Sequence, residues 1–173
     1  MPIRTWSRPN GWRDFVGLNN RVLDRFSADE RARRIAVHTC PGGGHDSTHS
    51  ADVDYAQLLP SLFALHAGTF YLELAGESDP EAVLEVVAAN LRPDQRAFVG
   101  VTNPLDPAVE TPEQVRDRIL LAAEHIPLSQ LGTTDDCGFS PFADDTSTAR
   151  ETAFAKIRAR IRGTELASER LGA

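Results

Sequence analysis

Long apolar runs are missing from this 173-residue chain: none approaches the ~18 to 20 residues that a membrane helix needs. Met1 to Asn10 also lacks the apolar centre of a signal peptide. The expectation is a cytoplasmic protein with no membrane contact. Cysteine is scarce, with only Cys40 and Cys137, far apart in sequence, and no secretory signal accompanies them. That excludes a disulfide framework and leaves the two thiols needing another role. Basic charge is short as well, since 18 Lys and Arg against 25 Asp and Glu leave a net charge of −7. No broad basic surface is available for nucleic acid or an anionic membrane. Low-complexity segments and short repeats are absent. What remains, 41% hydrophobic and 25% charged residues, is the balance of one ordinary folded domain and argues against intrinsic disorder.

The apolar pattern alternates between two periods. Trp12, Phe15, Val16, Leu18, Val22, Leu23 and Phe26 recur at helical spacing, with Arg13, Asp14, Arg21 and Asp24 between them, and predict an amphipathic helix over 11–27. Residues 1–10 read as an irregular lead-in. Arg34 to His38 is apolar in its centre and predicts a first strand, stopped at Cys40-Pro41-Gly42-Gly43-Gly44. Tyr55, Leu58, Leu59, Leu62 and Phe63 predict a helix within 52–65, kinked or split at Pro60. Thr69 to Leu74 predicts a second strand, and Pro80 opens a helix carried by Val83, Leu84, Val86, Val87 and Leu91. Arg96 to Val101 predicts a third strand. Thr111-Pro112-Glu113-Gln114 reads as an N-cap with proline in the first turn, ahead of Val115, Ile119, Leu120, Ala123 and Ile126. Gln130 to Thr134 predicts a fourth, less apolar strand. The last helix spans 148–171, with Gly163 as a candidate break and Arg150, Lys156, Arg158, Arg160 and Arg162 on a solvated face.

One helix followed by four βα units predicts an α/β fold with a parallel sheet and right-handed crossovers. A closed (β/α)8 barrel needs eight units and ~250 residues, so the candidates are a small open sheet or half of a TIM barrel. Either way, residues 1–173 form a single partial or small domain.

In such sheets the reactive loops lie at the carboxyl ends of the strands. Here those ends carry His38-Thr39-Cys40, Glu73, Thr102-Asn103 and Asp135-Asp136-Cys137. Two thiols, an imidazole and a carboxylate on one rim suit zinc, and ligands drawn from separate strands suit an active-site metal better than a finger. The plainer readings are inert buried cysteines and a salt bridge from Glu73, which lies between Leu72 and Leu74 and needs some partner. Asp135 and Asp136 either order their loop through short backbone bonds or orient a ligand. His45 and His49 read as solvated loop residues, with metal binding or proton transfer as the alternative. Gly42-Gly43-Gly44 reads as a turn, lacking the Lys-Ser/Thr continuation of a phosphate loop. His125 faces a helix dipole. His66 has no evident partner.

Val37-His38-Thr39-Cys40, Tyr71-Leu72-Glu73-Leu74-Ala75, and Ile126-Pro127-Leu128-Ser129-Gln130-Leu131 leading to Asp136-Cys137-Gly138 resemble the carboxyl-terminal part of the cobalamin-independent methionine synthase family. The likeness runs from about Phe15 to the end. It implies the carboxyl-terminal half of a TIM barrel and zinc ligation by His38, Cys40, Glu73 and Cys137. It also implies an S-methyltransferase acting on homocysteine or another small thiol such as coenzyme M, with methyltetrahydrofolate as methyl donor. Asn103 and Asp136 are the expected substrate contacts. The family's Asp-Ile-His-Ser-Pro segment corresponds to Asn103-Pro104-Leu105-Asp106-Pro107, so Leu105 stands where that family has histidine, and no catalytic residue is named. The family's Asp-Glu-Pro segment and the first half of the barrel would precede Met1. The expected partner is therefore an amino-terminal half-barrel or a second copy of the chain.

Overall fold

A computed structural model describes residues 11–40, 54–140 and 146–173. Two helices, α1 (Gly11–Leu23) and α2 (Ala28–Arg34), lead into four strand–helix units. These are β1 (Ala36–Thr39) with α3 (Tyr55–Leu62), β2 (Thr69–Leu72) with α4 (Pro80–Asn90), β3 (Arg96–Thr102) with α5 (Pro112–His125), and β4 (Leu131–Asp135) with α6 (Arg150–Leu171). The expected irregular lead-in at 1–10, His45, His49 and the Gly42–Gly44 turn lie outside the described residues.

Helix α2 corrects the sequence expectation of a strand beginning at Arg34. Ser27 and Glu30 form a reciprocal capping box, the Glu30 carboxylate accepting from the Ser27 N–H at 2.9 Å and Ser27 Oγ accepting from the Glu30 N–H at 3.3 Å. None of its residues is buried, so it left no apolar period to read. Helices α4 and α5 begin as expected, with Asp79 capping Ala82 N–H, Thr111 paired with Gln114 in a capping box, and Pro80 and Pro112 in the first turns.

The strands lie in the order β1-β2-β3-β4, all parallel. Consecutive order without reversal, combined with one hand of crossover, sends every connecting helix to the same face, as in a barrel wall; a doubly wound sheet reverses its order. The burial pattern agrees. Phe70, Leu72, Ala97, Val99 and Val101 face the helices and pack with Leu59, Leu84, Val87, Val115, Ile119 and Ala122. The opposite row, His38–Tyr71–Phe98–Gly132 in lateral register, is half-buried or exposed. Tyr71 and Phe98 meet there with ring centroids 5.1 Å apart. Gly132 makes room, since a Cβ on it would lie 2.5 Å from the Phe98 ring.

Two expectations about α6 change. Gly163 does not break it: a Cβ there would sit 2.4 Å from Val115 Cγ1, so the glycine lets α5 and α6 approach closely within one continuous helix. Lys156 is fully buried rather than solvated, donating to the Ala108 carbonyl and to Glu110 Oε2 at 2.9 Å. Glu110 Oε1 accepts from the Asn103 N–H at 2.8 Å and lies 3.7 Å from Arg118. This buried charge network fastens the β3–α5 loop to the last helix. His66 also gains a partner, its Nδ1 lying 2.7 Å from Asp24 Oδ1.

Candidate metal centre

The carboxyl ends of three strands bring the candidate ligands together. β1 presents His38 and Cys40 on either side of Thr39, whose side chain turns the other way into the core, as alternation in a strand requires. Tyr55, at the start of α3, fixes that segment: its hydroxyl donates to the Thr39 carbonyl at 2.9 Å and lies 2.7 Å from Thr39 Oγ1. Tyr55 is 2% exposed, and burial pushes its phenol up, so it stays a neutral donor. In the sequence it stands only as an apolar helix position, and its hydroxyl in an otherwise wholly apolar row is the available signal.

His38, Cys40 and Cys137 place their ligand atoms within 4.8 Å of one another. Cys137 Sγ lies 3.7 Å from His38 Nε2 and 3.9 Å from Glu73 Oε2. A tetrahedral zinc with sulfur at ~2.3 Å and nitrogen or oxygen at ~2.0 to 2.2 Å holds donors about 3.3 to 3.8 Å apart. The two spacings from Cys137 Sγ are close to that, the three-residue group as a whole is up to an ångström wider, and two thiols, an imidazole and a carboxylate are donor types zinc accepts. His38, Cys40 and Cys137 could together hold a metal ion, while Glu73 stands beside Cys137 but outside the group of three whose donor atoms all lie within 4.8 Å of one another.

Electrostatics point the same way. Glu73 is 9% exposed, and among the described residues no lysine or arginine forms an ion pair with it, which removes the salt-bridge reading there. Burial, reinforced by the neighbouring Asp136 carboxylate, pushes Glu73 up to about 7. A hydrogen bond to Cys40 raises His38, and the Cys137 thiol is raised by its bond to Cys40 and by burial. The cluster thus holds several acids that shed their protons only reluctantly, a field that a divalent cation relieves.

Asp136 is buried at 2% exposure, and its carboxylate accepts from the backbone N–H groups of Leu74 at 2.9 Å, Ala75 at 2.9 Å and Gly76 at 2.7 Å. Burial pushes it up to about 6, against the lowering effect of those bonds. Asp135 points to the helix face instead, bonded to Thr102 and to Arg160 at 3.1 Å. Asn103 is half-buried on the rim; its Oδ1 accepts from the Leu105 N–H at 2.9 Å, and its Nδ2 lies 3.4 Å from where a Cβ on Gly76 would stand.

No family model matches the chain, and no curated protein does. A solved structure does: a B12-independent methionine synthase from Shewanella sp. W3-18-1, in complex with selenomethionine, aligns with a TM-score of 0.63 at 18% identity. The alignment covers 94% of this chain and 48% of that one. The fold is shared with about half of that enzyme. At this identity the likeness establishes the four-unit α/β architecture, and the chemistry has to be argued from the residues themselves.

Proposed function

We propose that this chain carries the metal-binding half of a zinc-dependent S-methyltransferase of the methionine synthase kind. The observation that supports this most is the convergence of His38, Cys40, Cys137 and Glu73, contributed by three strand ends, on one side of one rim. A zinc ion held by these residues would keep an acceptor thiol deprotonated near neutral pH. Homocysteine, or another small thiol such as coenzyme M, is the acceptor, and methyltetrahydrofolate is the methyl donor. In the transfer the thiolate sulfur forms a bond to the methyl carbon as the carbon–nitrogen bond breaks. The electron pair passes to the pterin nitrogen, which takes up a proton.

This chain's own contributions are distinct. Tyr55 holds the His38–Cys40 segment in register, Glu73 supplies a buried carboxylate, and Asn103 lies on the rim within reach of an acceptor seated at the cluster. The rim loop carries Leu105 and no histidine there, so a proton for the leaving nitrogen comes from outside this position.

A second reading is a half-barrel subunit that binds metal but transfers no methyl group alone. It is favoured by the inner row of Tyr71 and Phe98, which is only half-buried, and by β1 and β4 standing at the ends of the sheet. Purification without a metal-affinity tag or chelator, followed by zinc analysis, tests the common part of both readings. About one tightly held zinc per chain is expected, and none refutes both. Methyl transfer assayed with and without an added amino-terminal half-barrel separates them, since activity of the chain alone removes the subunit reading.

A further inference from the structure

The two ligands at the ends of β2 and β4 belong to strands that do not touch, because β3 lies between them. Asp136 nonetheless joins them. It directly precedes Cys137, and the three N–H groups its carboxylate accepts, those of Leu74, Ala75 and Gly76, directly follow Glu73. Its own backbone is fixed to β3, where its N–H donates to the Thr102 carbonyl at 3.0 Å. The side chain then crosses β3 at the one place where β3 has no side chain. A Cβ on Gly100 would stand 1.8 Å from Asp136 Oδ1 and 2.9 Å from its Cα. Gly76 is open on the far side for the same reason, since a Cβ there would lie 3.3 Å from Asp136 Oδ2 and 3.0 Å from Glu73 Oε1.

We propose that Asp136 is a positioning residue, bonded across the gap left by Gly100, that locks the Glu73 backbone to the Cys137 backbone so that the two move as one unit. The role rests on the reading of Glu73 and Cys137 as metal ligands. It replaces direct substrate contact as the use of this carboxylate, because both its oxygens are already engaged by backbone amides, that of Leu74 buried and those of Ala75 and Gly76 nearer the surface. Three N–H groups and one carboxylate satisfy one another here, so removing the acceptor leaves the buried Leu74 N–H without its partner and frees the two that follow it.

Two substitutions perturb the link from opposite sides. Asp136→Asn keeps the shape and one acceptor oxygen but sets an NH2 group against an N–H. Gly100→Ala leaves Asp136 chemically intact and occupies its path. Zinc affinity of the full chain, measured by competition with a chelator, is expected to fall about 10- to 100-fold in each, the usual effect of removing a partner that orients ligands. Hydrogen exchange at Leu74, Ala75 and Gly76 in the metal-free chain is expected to quicken in both. Val87→Ala, a core substitution on α4 remote from the rim, controls for general loss of stability and is expected to keep wild-type affinity. Equal loss of affinity in Val87→Ala reduces Asp136 to a generic stabilising residue and overturns the proposal. Wild-type zinc affinity together with unchanged amide protection in Asp136→Asn also overturns it, leaving the metal reading intact. A wild-type chain that binds no zinc refutes the metal reading itself.

Discussion

The two faces of the sheet are built from alternate residues of the same strands, yet they serve different ends. On the helix-covered face Phe70, Leu72, Ala97, Val99 and Val101 are at most 1% exposed. On the other, Tyr71 and Phe98 stay half-buried and His38 is exposed. A sheet sandwiched between two helical layers would bury both sets; a segment of barrel wall buries only the outer one. Stability should therefore reside on the helix face, and binding on the inner row where it meets the carboxyl rim.

The strongest way to sharpen that division is to delete a proposed ligand. Cys137→Ala removes a thiolate from the cluster and is expected to weaken zinc binding by roughly a thousandfold or more, with the metal-free chain losing little stability because Cys137 is only partly buried. Chelator competition and a denaturant curve on the same sample check both halves. Full-affinity zinc in this variant refutes the ligand assignment.

Adjacent residues on β2 offer the next test. Phe70 is 0% exposed and packs on Phe63 with ring centroids 4.8 Å apart, so Phe70→Ala should cost about 3 to 5 kcal/mol. Tyr71→Ala, one residue on but facing inward, removes a half-buried ring and should cost roughly 1 kcal/mol, the worth of its pairing with Phe98. Urea denaturation of the pair measures the difference. Equal costs would mean that the inner face is packed as tightly as the outer, and the half-barrel account of it would fail.

The same contrast explains what could be read from sequence. Strands with an apolar helix-facing row, such as Thr69-Phe70-Tyr71-Leu72, announced themselves, and so did helices opened by proline and a cap. The four ligand candidates could be picked out because each lies inside a strand or within two residues of its carboxyl end. Features resting on contacts remote in sequence were not. Lys156 looked like part of a basic face because its partners Ala108 and Glu110 lie far back in the chain, in the β3–α5 loop. Gly163 looked like a break because its reason is Val115 on α5. Asp136 was visible as a candidate, but its three amide partners and the gap at Gly100 appear only once β2, β3 and β4 are laid side by side. Helix α2 was missed for a local reason: it has a capping box and no buried face.

The smallest expected structural effect belongs to Leu105→His, which asks whether the rim can be given what it lacks. Leu105 is half-buried, donates its N–H to Asn103 Oδ1, and borders a surface hollow of about 250 Å³ shared with Ser147, Thr148 and Thr152. There is room for an imidazole, and the loop is held from behind by Glu110 and Lys156, so stability should change by no more than about 0.5 kcal/mol. Against that near-silence any gain in methyl transfer is interpretable. A positioned acid contributes typically about a hundredfold or more when proton delivery limits the reaction. With the chain combined with an amino-terminal half-barrel, Leu105→His is expected to raise the rate and to make it fall as pH rises through the imidazole range. A rate that stays unchanged across pH would mean that the leaving nitrogen draws its proton from another group, and that this loop shapes the rim without entering the chemistry.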